Sequence, residues 1–188
     1  MKFVPTELKN GSFVIEIESD NDIRGFFART VCRHEFSKRE LNFNFIQQSI
    51  SFNPHKGTLR GMHFQQEPFA EEKLVRVTRG AIFDVIVDIR PESSNFKKWF
   101  SVELSAENRR QIYVPKGFAH GFQTLKPDTE VFYQMTVPYA PGHSKGFFWN
   151  DPSVSIKWPE IDQRIIGMRD LNFSYLSDVE FSRYETAL

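Results

Sequence analysis

Hydrophobic and polar residues alternate with a period near two along most of this chain. Residues 12–19 carry Phe13-Val14-Ile15-Glu16-Ile17-Glu18 between two serines. That is a strand pattern, because successive side chains of a strand take opposite faces. Similar runs occupy 43–52, 99–104, 111–114, 118–125, 131–137 and 146–149, and 73–78 and 81–89 flank Arg79-Gly80 as a hairpin. Turn signals separate the runs: Asn21-Asp22, Asn53-Pro54-His55-Lys56-Gly57, and the loop 66–72 with Pro68. Helical stripes are missing. Only the polar segment 35–42 and the tail read as short helices, the tail because Ser177-Asp178-Val179-Glu180 has capping-box spacing. About nine short strands spaced by turn signals predict a sandwich or barrel.

One stretch breaks the alternation. In Gly57-Thr58-Leu59-Arg60-Gly61-Met62-His63-Phe64-Gln65 a cation and an imidazole lie three residues apart. A regular strand would send them to opposite faces. Gly61 lies between them, and a glycine inside a strand often marks a bulge that re-aims a side chain. Arg60 and His63 are therefore expected to share one concave site. Arg24, Arg60 and Lys73 flank turns or this glycine, where side chains can converge. Guanidinium groups suit phosphate oxygens, so these three cations and His120 form a candidate diphosphate site. Arg76 reads as a solvated edge cation. Tyr133 alternates with Val131 and Met135 and so faces one side of its strand, and Tyr139 sits in a proline-flanked loop.

Length and charge remove several function classes. The 188 residues suit one domain, 1–188, with 171–188 as a tail. Lys plus Arg equals Asp plus Glu at 24 each, which argues against a nucleic-acid binder. The single Cys32 excludes an intramolecular disulfide and suits a reducing cytoplasm. The start, Met1-Lys2-Phe3-Val4-Pro5, lacks the apolar core expected of a signal peptide. No apolar run approaches the ~20 residues of a membrane helix, so no membrane partner is expected.

Val114-Pro115-Lys116-Gly117-Phe118-Ala119-His120 resembles the second cupin motif, and 57–63 resembles half of the first. Metal-binding cupins continue the first motif as His-x-His; here Gln65 replaces one ligand. His63 and His120 remain, with Glu71 or Glu72 as a third candidate, an incomplete set beside the three protein ligands usual at a catalytic zinc or iron. No metal is expected.

More motifs follow in order: Asp22-Ile23-Arg24-Gly25-Phe26-Phe27, Lys73-Leu74-Val75-Arg76-Val77, Val85-Ile86-Val87-Asp88-Ile89-Arg90 and Trp149-Asn150-Asp151-Pro152. With 57–65 and 114–122 they strongly resemble the dTDP-4-dehydrorhamnose 3,5-epimerases, over about residues 11–170. The resemblance implies a mainly β, cupin-type double-stranded β-helix (jelly roll) with a few short helices, one of them near the C-terminus. It implies a homodimer exchanging an N-terminal strand, no cofactor, and a nucleotide-diphosphate 4-keto sugar as substrate. By resemblance His63 is the base, Asp170 holds it, Tyr133 returns the proton, and Lys73 faces the C4 oxyanion. Arg24, Arg60 and His120 match the diphosphate site, and Tyr139 the nucleotide. Phe27, Arg29 and Gln48 lie beside positions expected near the base. Arg29 and Ser49 replace a glutamate and an asparagine common in the family. Those changes predict a relaxed or altered base preference, with a one-carbon epimerase on a CDP- or GDP-linked sugar as the alternative. A metal-dependent cupin enzyme and a non-catalytic sugar-binding jelly roll are the competing classes. The second leaves His63, Asp170 and Tyr133 without a role.

Overall fold

The computed structural model describes residues 1–8 and 11–179. Strands β1 (Lys2–Pro5) and β2 (Phe13–Glu16) lead to a hairpin of β3 (Ser19–Asp22) and β4 (Gly25–Ala28), then to helix α1 (Arg33–Ser37). Next come β5 (Gln47–Asn53), β6 (Thr58–Gln65), β7 (Lys73–Arg79), β8 (Ala81–Asp88) and β9 (Trp99–Ser105). β10 (Gln111–Val114), β11 (Phe118–Thr124), β12 (Thr129–Met135), β13 (Ser144–Gly146), β14 (Ile165–Ile166) and α2 (Met168–Leu171) complete the described chain, with a 3-10 turn at Leu176–Asp178.

Two sheets face each other. The first has the order β1-β2-β10-β7-β12-β5, the second β13-β6-β11-β8-β9, with β14 parallel on β6. The interleaving of strands far apart in sequence is that of a jelly roll. Period two explains the layering. On β8, Ile82 and Ile86 join the apolar cluster between the sheets with Val75, Val77, Ile112, Phe122 and Val131, while Val85 and Val87 join a cluster on the outer face. Trp158, Ile156 and Leu176 cover that outer face. Phe36 of α1, Leu41 and Phe45 cover the outer face of the first sheet. Both sheets are thus covered outside, which leaves part of the space between them free to be polar. Gln47, Ser49, Ser51 and Asn53 of β5 share the inward parity of Tyr133 and Val131, their partners across the β5–β12 ladder.

The ladder between β6 and β11 carries the expected bulge. His63 pairs with His120 and Arg60 with Phe122, so three steps on β6 match two on β11. His120 and Phe122 share a face, and therefore so do Arg60 and His63. Gly61 has φ +135, and a Cβ there would meet Gly121 Cα at 2.6 Å, so only glycine fits.

Several expectations need correction. The turn at Asn21-Asp22 is instead inside β3, and the hairpin reverses at Ile23-Arg24. The strand run 43–52 begins only at Gln47, and the helix at 35–42 is Arg33–Ser37. The strand expected at 146–149 is instead β13 at Ser144–Gly146, and β1, β3, β4 and β14 are too short or too polar to have shown as alternation. Arg76 is not a solvated edge: its Nε is buried, and its guanidinium lies 5.2 Å from the Phe132 ring centre. The tail forms the turn at 176–178, and Glu180 with the rest of the expected terminal helix lies outside the described residues. No helix among the described residues is long and apolar enough to cross a membrane.

Candidate active site

A cavity of about 350 Å³ opens between the sheets at the β5–β12 and β6 side. His63, Gln65, Lys73, Tyr133, Tyr139 and Arg169 are among its walls. His63 comes from the second sheet; Lys73 and Tyr133 come from the first, so the imidazole and the phenol face each other across the opening.

His63 Nε2 lies 2.7 Å from Asp170 Oδ1, and Gly61 N–H donates to Asp170 Oδ2 at 3.0 Å. A carboxylate only accepts. Nε2 therefore carries the proton, and Nδ1 keeps its lone pair. The Phe173 ring meets the imidazole edge-on at 5.8 Å. Burial pushes the Asp170 carboxyl up, but the hydrogen bonds from His63 and Gly61 and the charge of Arg169 outweigh it and leave it below the ordinary carboxylate value.

Tyr133 is driven well above the ordinary phenol value, first by burial and then by the Asp84 charge, against the opposing pull of Arg60. It stays protonated at any working pH. Its hydroxyl makes no hydrogen bond among the described residues, so it is free for a ligand. The edge of its ring packs on His120 at 6.1 Å. His120 is itself buried, with Nε2 2.7 Å from Asp84 Oδ2. Lys73 Nζ lies 2.9 Å from Glu71 Oε1, so that carboxylate is paired with an ammonium. Among the described residues no three His, Cys, Asp or Glu side chains gather as a metal set.

The other residues singled out in the sequence divide sharply. Arg60 stands on the His63 face, and its Nε donates to Asn53 Oδ1 at 2.8 Å. Tyr139 reaches over the mouth, where its hydroxyl accepts from Arg169 Nη1 at 3.4 Å. Gln48 is exposed on the other face of β5 and is not brought to this cavity within one chain; its neighbours Gln47 and Ser49 line it. The alternation of β5 contained that answer. Arg24, Phe27 and Arg29 are also not brought to this cavity within one chain. Their hairpin lies over the outer face of the first sheet, where the Arg109 guanidinium covers Phe26 at 3.9 Å. Arg24 Nε donates to Asp22 Oδ2 at 3.0 Å, and Arg29 lies against Cys32 Sγ. Phe27 is 79% exposed and Ile23 fully so. The sequence reading missed Asp84 and Asn53. A carboxylate inside the apolar run of β8 was the available signal for the first.

The family model for dTDP-4-dehydrorhamnose 3,5-epimerase matches residues 5–178. The chain is 44% identical over 161 residues to the dTDP-4-dehydrorhamnose 3,5-epimerase of Sinorhizobium fredii, covering 86% of this chain and 83% of that one. It superposes with a TM-score of 0.91 on the Legionella pneumophila dTDP-6-deoxy-D-glucose-3,5-epimerase solved with dTDP-4-keto-L-rhamnose, at 34% identity and 98% coverage of each chain. The Bacillus anthracis enzyme, solved with TDP and pyrophosphate, gives 0.88 at 39% identity, covering 93% of this chain and 98% of that one.

The depressed Asp170 value generates a test. A group depressed in the folded state contributes stability that is present above its unfolded value of about 3.9 and lost as pH falls through the folded one. Asp170→Asn is expected to unfold more easily than wild type at pH 7, by about 1–3 kcal/mol. The gap should narrow on acidification below about pH 4. Urea melts at both pH values check this; a gap that does not change with pH contradicts it.

Proposed function

The chain belongs to the dTDP-4-dehydrorhamnose 3,5-epimerase family, and on that footing we propose that His63 and Tyr133 move protons at C3 and C5 of a dTDP-linked 4-keto-6-deoxy sugar while Lys73 stabilises the oxyanion at C4. The reaction is an isomerisation. A C4 ketone acidifies the hydrogens on both neighbouring carbons. Removing one gives an enolate, and returning a proton to the opposite face inverts the centre. Such chemistry needs a base on one side of the ring and an acid on the other. The observation that carries the reading is the opposition of His63 and Tyr133 across the cavity.

Each group has the state its task requires. His63 offers a free Nδ1 lone pair, and Asp170 steadies the imidazolium once it forms. Tyr133 is a phenol held protonated by burial, hence a proton carrier. Lys73 supplies a fixed positive charge for the C4 oxyanion in a low-dielectric site. Arg60 and His120 share the sheet face of His63 and in this reading serve the diphosphate, and Tyr139 serves the base at the mouth. Thymine is the base of this reading, in place of the altered preference expected from Arg29 and Ser49. The departure at Ser49 lies beside Tyr133 on the next strand, at the sugar end of the cavity.

A second copy of the chain completes the site. In this reading the hairpin of β3 and β4, with Arg24, Phe27 and Arg29, reaches the cavity mouth of its partner. Its exposed Ile23 and Phe27 support this, as do Ile46, Ile50 and Phe52, an exposed apolar row at the free β5 edge. Exchange of the N-terminal strand belongs to the same dimer. The lone Cys32 and the substrate class fit the cytoplasm. Light scattering at micromolar concentration is expected to give twice the chain mass, and a monomer would contradict the shared site.

Incubation with dTDP-4-keto-6-deoxyglucose in D2O is expected to place deuterium at both C3 and C5, read by NMR. Label at C3 alone would make the protein a one-carbon epimerase. His63→Asn should lose most of the rate, by a hundredfold or more. Tyr133→Phe should slow net inversion far more than loss of the substrate hydrogen. Equal slowing of the two would remove the hydroxyl from the reprotonating role.

A further inference from the structure

Gln65 ends β6 two residues beyond His63 and is buried. Its amide is used at both ends. Oε1 accepts from the Ala140 N–H at 2.7 Å. Nε2 donates to the Phe69 carbonyl at 3.1 Å, to the Pro138 carbonyl at 3.3 Å and to Glu71 Oε2 at 3.2 Å. The other oxygen of Glu71 holds Lys73, with only 10% and 14% of the two side chains exposed. Ala140 follows Tyr139, whose own N–H donates to Gln47 Oε1 at 2.9 Å. One buried amide thus joins the ammonium on the cavity wall to the loop that carries Tyr139.

We propose that Gln65 is a positioning residue of the reaction: it orients the Glu71 carboxylate that fixes Lys73, and it ties the Tyr139 loop to the same point. The proposal rests on the reading of Lys73 as the cation that meets the C4 oxyanion. A carboxylate and an ammonium taken out of water together need further hydrogen bonds to hold one geometry. Gln65 supplies one to the carboxylate. No other side chain of this length donates to a carboxylate and two carbonyls while accepting from an N–H. A protonated glutamate there has a single O–H, enough to donate to Glu71 but not to the two carbonyls as well. When ionised it sets a second negative charge against Glu71 and draws Lys73 off its line. Misplacement of a catalytic group by about an ångström costs on the order of a hundredfold.

The test compares wild type, Gln65→Glu and Gln65→Met in the D2O exchange assay, with kcat followed from about pH 5.5 to about pH 8.5. Gln65→Glu should keep most of its rate at the acid end and lose at least about tenfold relative to wild type at the alkaline end. Gln65→Met, which has no donor for Glu71, should be slow by a similar factor at every pH. A Gln65→Glu profile that superimposes on wild type overturns the proposal. If melting curves show that Gln65→Glu does not fold, Glu71→Gln decides. That variant keeps the acceptor but removes the charge. A kcat loss of about tenfold with KM within threefold supports the assignment, and wild-type kcat overturns it. Wild type that takes up no deuterium defeats the epimerase reading and this proposal with it. An active wild type beside a pH-indifferent Gln65→Glu defeats the Gln65 assignment alone.

Discussion

Between Arg60 and His63 the β6 strand carries one residue more than β11 opposite it, and the backbones approach so closely there that Gly61 faces Gly121 with no room for a Cβ. The extra residue turns the imidazole to the same face as the guanidinium. It also takes the Gly61 N–H out of the ladder and gives it to Asp170. The carboxylate so fixed holds His63 Nε2. A local irregularity in one strand therefore sets the face, the tautomer and the anchoring of His63.

The interior on either side of this bulge is divided. At the β8 and β10 side the two sheets share an apolar core; toward β5 and β6 the inward positions turn polar. A cavity with buried charges costs packing and desolvation. The apolar layers on both outer faces, built around Phe36 and around Trp158, offset that cost. Between them the cavity has His63 on one sheet and Tyr133 on the other. Placement on strands of two facing sheets suits the proposed reaction, in which a proton leaves one face of a ring and arrives on the other.

Much of this was legible in the sequence, for definite reasons. A glycine between a cation and a histidine inside a strand is a local signal, and the bulge followed from it. The face that Tyr133 takes followed from its parity with Val131 and Met135, while its role came only from the family resemblance. The same parity applied to Gln47-Gln48-Ser49 puts Gln47 and Ser49 on the cavity face and Gln48 on the other. Asp170 had no local signal at all, because its meaning comes from a contact 107 residues away in the chain. Only the family resemblance pointed to it. Gln65 was noticed as a missing metal ligand, whereas its hydrogen bonds give it a different task that spacing alone does not reveal. The hairpin with Arg24 and Phe27 could not be placed from periodicity, since nothing in a sequence says which copy of a chain an exposed loop serves.

The most direct test of the opposed acid and base is a crystal structure with dTDP-L-rhamnose, whose C4 hydroxyl cannot acidify its neighbours and so leaves the ligand unreacted. The sugar ring should lie between the sheets, with His63 Nδ1 toward one face, the Tyr133 hydroxyl toward the other, and O4 near Lys73 Nζ. A ring with both groups on the same face, or one bound outside the cavity, would contradict the account.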